Sequence, residues 1–247
     1  MMYVKSLFQF KTMKNFLNIL FLFFFFKVNS QITFTEKDKK DSMNRNQAYV
    51  FLNQTNSFRS LIPNEDFIPG NLGEKKYEKV LKTYSFGLGL KGFLHKNVIW
   101  DAGLMYLQNG EQYEFNSTTS DSSFSYQNYY KYIAMPVKIN FTVGHKVRVF
   151  GGVGLVPQLF LNYRQNQQWE TTLGSRESNK IESKDGFNTF IASVAYNLGI
   201  SLHSKNGYGL FISGDYRAQI QNGFNKLSYF KHKSSGTGFS IGITKEI

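Results

Sequence analysis

Between Tyr84 and Leu94 large apolar side chains occupy one parity and small or charged ones the other. Tyr84, Phe86, Leu88 and Leu90 alternate with Ser85, Gly87, Gly89 and Lys91. A helix would spread both sets over every side, whereas a strand sends successive side chains to opposite faces, so this segment is predicted to be a strand. The same alternation marks 129–142, where Ile133, Met135, Val137, Ile139 and Phe141 oppose Tyr132, Ala134, Pro136, Lys138 and Asn140. It marks 147–160, with Val147, Val149, Val153 and Leu155 against Arg148, Phe150, Gly152 and Gly154. It recurs over 187–202, 208–220 and 237–245, with Ile191 and Phe211 falling on the wrong parity. Two further strands are weaker. In 98–115 the face opposite Trp100, Leu104 and Tyr106 is only partly polar, and in 48–55 the facing stays open. The total is eight strands.

The connections order them. His95–Asn97, Val143–His145 and His203–Gly207 are tight hairpin turns. The remaining connections, 56–81, 116–127, 163–186 and 221–234, are long, and long and short alternate along the chain. That is the signature of an all-β, eight-stranded, antiparallel up-and-down transmembrane β-barrel, with short turns and both chain ends on the periplasmic side. A soluble sandwich or lipocalin-like barrel shares the alternation, because it too has one apolar and one polar face. Three features favour the membrane. The polar face is rich in Gly, Ser and Ala, as a narrow lumen requires. Aromatics (Tyr84, Trp100, Tyr106, Tyr129, Tyr130, Tyr208, Tyr216) gather toward strand ends, where interfacial girdles belong. Several strands exceed the ~9–11 residues needed to cross hydrocarbon.

The one long apolar run, Phe16–Phe26, is too short for a spanning helix; preceded by Lys11 and Lys14 and followed by Val28 and Ser30, it reads as a signal peptide over 1–30. Met13 offers a second possible start. A polar periplasmic segment, 31–47, then precedes the barrel domain, 48–247. Removing the signal takes away four lysines and eight of the 25 Phe, so the net charge falls from +12 to +8. With no Cys, disulfide scaffolds, zinc–cysteine sites and thiol catalysis are excluded. Export without cysteine fits a bacterial envelope. The basicity is scattered and carries no binding motif, so nucleic acid is not expected as a partner.

The hairpin Tyr132-Ile-Ala-Met-Pro-Val-Lys-Ile-Asn-Phe141, a turn, then Val147-Arg-Val-Phe-Gly-Gly-Val-Gly-Leu155 resembles the central hairpin of the PorT-like outer-membrane β-barrel proteins of Bacteroidota. Gly87–Gly92, Tyr106–Gly110 and Asp215-Tyr-Arg217 match the style of that family, and the resemblance covers roughly 82–247. It implies a barrel in the outer membrane rather than a particular activity. Two departures stand out: Ala48–Thr55 lacks a Gly-rich pattern, and the sequence ends in Ile247 where such barrels typically end in an aromatic.

No catalytic constellation emerges, and no metal site or cofactor is expected. His95, His145 and His203 sit at the short turns, and His232 lies on a Lys-rich outer loop without an evident carboxylate neighbour. Gly151–Gly154 lies within a strand with no helix after it, which excludes a phosphate loop. Parity instead assembles an interior polar network of Lys91, Asp101, Tyr132, Lys138, Asn140, Arg148, Asp215, Arg217 and Gln219. An eight-stranded lumen is only wide enough for side chains to fill it, so these groups are expected to form a salt-bridged plug, with Asp215 and Arg148 or Arg217 taking part. Trp169, Lys226, Lys231, His232 and Lys233 are the candidates for surface contact, the basic ones with lipopolysaccharide phosphates. The expected role is a non-enzymatic outer-membrane barrel, structural or accessory to an envelope or secretion assembly and not an open porin. A narrow anion-preferring pore, a lipid-modifying outer-membrane enzyme and a secreted soluble ligand-binding barrel remain the alternatives.

Overall fold

In the computed structural model of the protein, the residues described are 46–63, 74–116, 123–170, 175–225 and 228–247. The signal peptide, nearly all of the polar segment after it, and Lys226 lie outside them. Among the described residues eleven strands form a single antiparallel sheet. They are β1 (Gln47–Pro63), β2 (Glu78–Lys79), β3 (Leu81–His95), β4 (Val98–Asn116), β5 (Ser123–Ala134), β6 (Val137–Gly144), β7 (Val147–Glu170), β8 (Arg176–Ser183), β9 (Phe190–His203), β10 (Tyr208–Gln219) and β11 (Phe230–Glu246). The only helix among the described residues is a single 3₁₀ turn, Lys75–Tyr77.

The sheet closes on itself. β1 pairs β11 from Gln47 opposite Glu246 to Pro63 opposite Phe230, and also pairs β3. The circuit then runs through β4, the β5/β6 position, β7, β9, β10 and back to β11. β5 and β6 occupy one place in it, since both lie between β4 and β7. β2 continues the line of β3, and β8 hangs on β7 alone. Eleven strands therefore make eight staves. The stave read from sequence as one strand over 129–142 is split at Met135–Pro136, where proline has no N–H for the ladder. The chain stays stitched there through the carbonyls: Gly103 donates to Pro136 O at 3.0 Å and Met135 donates to Pro157 O at 2.9 Å.

Which face is buried separates a membrane barrel from a soluble one. The apolar set faces outward: Leu88, Ile139, Val153, Leu198, Ile212 and Ile241 are all exposed. The polar set is inside, with Asn53, Thr55, Ser85, Asn140, Ser213 and Ser240 buried. A soluble barrel would bury the first set, so the distribution is that of a transmembrane β-barrel. On β4 the outward side chains from Val98 to Tyr106 are apolar or small, and from Gln108 onward they are polar, so the lipid belt ends near residue 106. The facing of β1 is settled too: Val50 and Leu52 point to lipid, while Gln47, Tyr49, Asn53, Thr55 and Ser57 are buried. Tyr84, Trp100, Tyr106, Tyr129, Tyr208 and Tyr216 are partly or fully exposed, as girdle residues should be, but Tyr130 is 1% exposed and belongs to the lumen.

The long loops are shorter than their composition implies. β1 runs on to Pro63, β5 starts at Ser123, β7 reaches Glu170 and pairs with β8, and β11 begins at Phe230. Above the belt both faces of a strand are polar, so the hydropathy alternation disappears while the backbone ladder continues. β7 has 24 residues, more than twice the ~9–11 that cross hydrocarbon. Inside the belt, glycines make room for lumen aromatics. A Cβ on Gly89 would lie 2.5 Å from the Tyr49 ring, and one on Gly242 would meet the Phe211 ring. The small face of the sequence pattern is thus the socket for rings on neighbouring strands.

Placing a lysine at Leu88, midway along the lipid face of β3, is expected to destabilise the barrel by about 2–4 kcal/mol. Urea unfolding of protein refolded into lipid vesicles measures it.

Candidate functional site

Of the nine residues assigned to the interior from parity, Lys91, Asp101, Lys138, Asn140, Arg148, Asp215 and Arg217 line a cavity within the barrel. Asp101, Tyr132, Asn140, Arg148 and Gln219 are buried, and Lys91, Lys138, Asp215 and Arg217 are partly buried. Their partners differ from the expectation. The lumen ion pair nearest the turns is Lys138 Nζ to Asp101 Oδ2, 3.3 Å, and Tyr49 donates its hydroxyl to the other oxygen, Asp101 Oδ1, at 2.5 Å. Asp215 pairs with neither Arg148 nor Arg217. Its Oδ2 accepts from Ser240 at 2.5 Å, from Asn53 at 3.3 Å and from Ser213 at 3.5 Å. Arg217 donates to Asn109 Oδ1 at 2.7 Å, and the Arg148 guanidinium stands over the Phe93 ring. Neutral side chains from the same strand, from neighbouring β11 and from staves farther round the lumen reach these charges first, because parity brings only a few residues of each stave to the same height.

The plug itself is largely apolar. Met105, Leu107, Tyr130, Tyr132, Ala134, Val156 and Ile191 form one buried cluster inside the barrel, joined by Phe51, Phe160, Tyr163, Phe187 and Phe224. Ile191, a parity lapse in the sequence, is fully buried in this cluster, and Phe211, the other lapse, packs edge-on against Tyr49 inside the lumen. Both residues obey the strand period. They are apolar on the inner face because that face is packed at those heights. The segments 184–189 and 220–225 fold over the outer end, where Asn188 Nδ2 donates to the carbonyls of Asn222 and Phe224. This seats the Phe187 ring against Phe160 at 4.7 Å and against Phe224 at 5.5 Å, above the plug.

Beneath that cap and above the lipid belt lies a network that parity reading missed. Glu111, buried, accepts at Oε1 from Arg59 Nη1 at 2.9 Å, Asn128 Nδ2 at 2.5 Å and the Tyr130 hydroxyl at 3.1 Å. Arg59 also contacts Glu78 Oε1 at 3.2 Å and donates to the Tyr126 oxygen at 3.0 Å, while Tyr163 donates to Asn128 Oδ1 at 2.9 Å. His232 Nε2 stands 3.3 Å from Glu111 Oε2, within ion-pair range but out of line for a hydrogen bond. One carboxylate thereby ties together β1, β4, β5 and β11. Burial alone would raise the Glu111 carboxyl, but His232, Arg59 and Asn128 together hold it below the usual carboxylate range.

His232 is therefore not a surface residue. It is 1% exposed, between the Tyr130 and Phe224 rings, because even-numbered positions at this end of β11 turn inward. It also has a carboxylate neighbour, brought from β4 by the barrel's closure and invisible to local sequence. Lys231 and Lys233, its outward neighbours, are exposed. Trp169 is half-buried on β7, and its indole N–H donates to Glu177 Oε2 of β8 at 3.2 Å. Among the described residues no group of His, Asp and Glu is arranged to hold a metal ion.

No family model matches the chain, and no curated protein matches it. Solved structures similar to it include the outer membrane protein OprG from Pseudomonas aeruginosa (12% identity, 83% of this chain and 97% of that one, TM-score 0.47). Others are neisserial surface protein A (12%, 81% and 97%, TM-score 0.38) and Ail, the attachment invasion locus protein of Yersinia pestis (12%, 81% and 98%, TM-score 0.30). With TM-scores below 0.5, the outer-membrane-type barrel fold stands on the closed pairing circuit and the outward apolar belt.

Replacing Glu111 by Gln is expected to cost about 2–3 kcal/mol, the scale of hydrogen bonds to a charged group, since Arg59 keeps Glu78. The pH dependence has a definite sign. The folded barrel depresses this carboxyl, so its contribution is complete above the ordinary value of 4.5 and is lost as pH falls below it. Urea midpoints of the wild type should fall on acidification from pH 6 toward about pH 3, and E111Q should show a shallower decline.

Proposed function

We propose that this chain is an integral outer-membrane barrel with a closed lumen, serving as a structural or accessory component of an envelope or secretion assembly through its outer strand extensions and its turn end. The observation that carries the closed-lumen reading is the buried cluster around Leu107, Tyr130, Tyr132 and Ile191, with Phe187 and Phe224 above it. An eight-stranded lumen has room for little beyond its own side chains. The resemblance of the 132–155 hairpin to PorT-like barrels supports the outer-membrane barrel, and the assembly role is our reading of what a closed barrel with strands extending beyond the lipid belt does. Lys231 and Lys233, exposed on the outer part of β11, are the residues we assign to lipopolysaccharide phosphates. The role we propose is non-catalytic. The His232–Glu111 pair resembles half of an acid–base site, but its ring is packed between Phe224 and Tyr130 at centroid distances of 4.8 and 4.7 Å, which leaves a substrate no approach.

In planar bilayers the wild-type barrel is expected to carry no steady current. Leu107→Gly combined with Tyr132→Gly should produce discrete conductance steps by removing two of the largest plug side chains. A steady open current from the wild type would overturn the closed-lumen reading.

A further inference from the structure

The turn-end half of the lumen, below the plug, encloses a cavity of about 100 Å³. At ~30 Å³ per water, that is room for roughly three waters or one small oxyanion. Its charged lining is unbalanced: Lys91, Lys138, Arg148 and Arg217 face it against Asp101 and Asp215. Both carboxylates are already engaged, Asp101 by Tyr49 and Lys138, Asp215 by Asn53, Ser213 and Ser240. Arg217 is held by Asn109.

Lys91 and Arg148 are left over. Lys91 Nζ lies 4.9 Å from the Phe211 ring centroid and 5.7 Å from that of Tyr49. Arg148, 7% exposed, lies 5.1 Å from the Phe93 centroid. Among the described residues neither forms an ion pair or a side-chain hydrogen bond, whereas Arg59 and Lys138 have carboxylate partners and Arg217, also without an ion pair, has Asn109. Glu246 acts electrostatically on Arg148, and Asp101 on Lys91. Rings soften the cost of a buried cation but do not neutralise it. His203 lines the same cavity, and both its Nδ1 and its Nε2 are buried without a hydrogen-bond partner among the described residues. Two cations held by rings rather than by ion pairs, and one imidazole without a hydrogen bond, thus face a single small cavity.

We propose that this cavity is a binding pocket for a small oxyanion, with Lys91 and Arg148 as counter-charges and His203 as a hydrogen-bond donor. The plug closes it above, and its lining reaches the turn end through Gln47 and His203, so the anion enters from that side and does not cross. A free phosphate and a carboxylate share the required chemistry. The inference does not rest on the assembly role proposed above, and a conducting lumen would leave the pocket's residues in place.

The test is calorimetric titration of the refolded barrel in non-ionic detergent with inorganic phosphate and, separately, with acetate. Saturable one-site binding of phosphate, of acetate or of both is expected, and the stronger of the two identifies the preferred oxyanion. Lys91→Met and Arg148→Met should each weaken binding by about tenfold or more, while Lys91→Arg, which keeps the charge, should stay within about threefold. Arg164→Met, on the outer ribbon, should bind like wild type. Heat-modifiable gel mobility reports whether each variant is folded. Should the Met variants not fold, the wild type still decides, because specific binding raises its unfolding midpoint with phosphate or acetate above that in sodium chloride of equal ionic strength. The absence of saturable binding of either anion to wild type overturns the proposal, as does a folded Lys91→Met/Arg148→Met double variant that binds like wild type.

Discussion

The seam between β1 and β11 is the contact on which the rest of this molecule depends. In hydrocarbon every backbone N–H and C=O needs a partner within the protein, so a sheet can cross lipid only if it has no edge. The first and last strands supply that closure, with Gln47 opposite Glu246 at one end and Pro63 opposite Phe230 at the other. Once the circuit is closed at eight staves, each residue has only two places to point. One is lipid, and the other is a lumen too narrow for water to solvate charges freely. The outward belt, the glycine sockets and the apolar plug all follow from that choice.

Much of this was legible in the linear chain because the period-2 rule holds wherever the two faces differ in polarity. The facing of β3, β6, β9 and β10 and the three tight turns could be read directly, as could the inward direction of Lys91, Asp101, Arg148 and Arg217. The rule loses its signal in two regions. Above the lipid belt both faces are polar, so the upper parts of β1, β5, β7 and β11 resemble loops although they are strands. Where apolar side chains fill the lumen both faces are apolar, so Ile191 in the plug and Phe211 in the chamber below it look like errors although they obey the register.

Partners were harder to read than directions. The Glu111 network joins residues from β1, β4, β5 and β11, as far apart as Arg59 and His232, and no local pattern marks Glu111 as different from its polar neighbours. Only the closed circuit brings His232 to Glu111. The same geometry explains why Asp215 takes hydroxyl and amide partners rather than an arginine. Charge counting identifies who is in the lumen, but height around the barrel decides who meets whom. The lumen accordingly has three levels: a cationic chamber near the turns, an apolar plug, and an ionic network under an aromatic cap.

The β7–β8 ribbon reintroduces what barrel closure removed. Among the described residues β8 pairs with β7 on one side only, so its other side presents a row of amides and carbonyls beyond the lipid belt. Such a row is a template on which a second chain can add a strand, and proteins commonly guard it with charge. β8 carries Arg176, Glu177, Lys180 and Glu182 in eight residues, nearly all of them exposed. Its salt bridges, Arg176 to Glu170 and Arg164 to Glu182, fasten it back to β7. Close packing of many copies in one membrane leaf would bring these edges within reach of each other. The exposed charges of β8, which edge pairing would have to desolvate, favour each copy staying a separate molecule there.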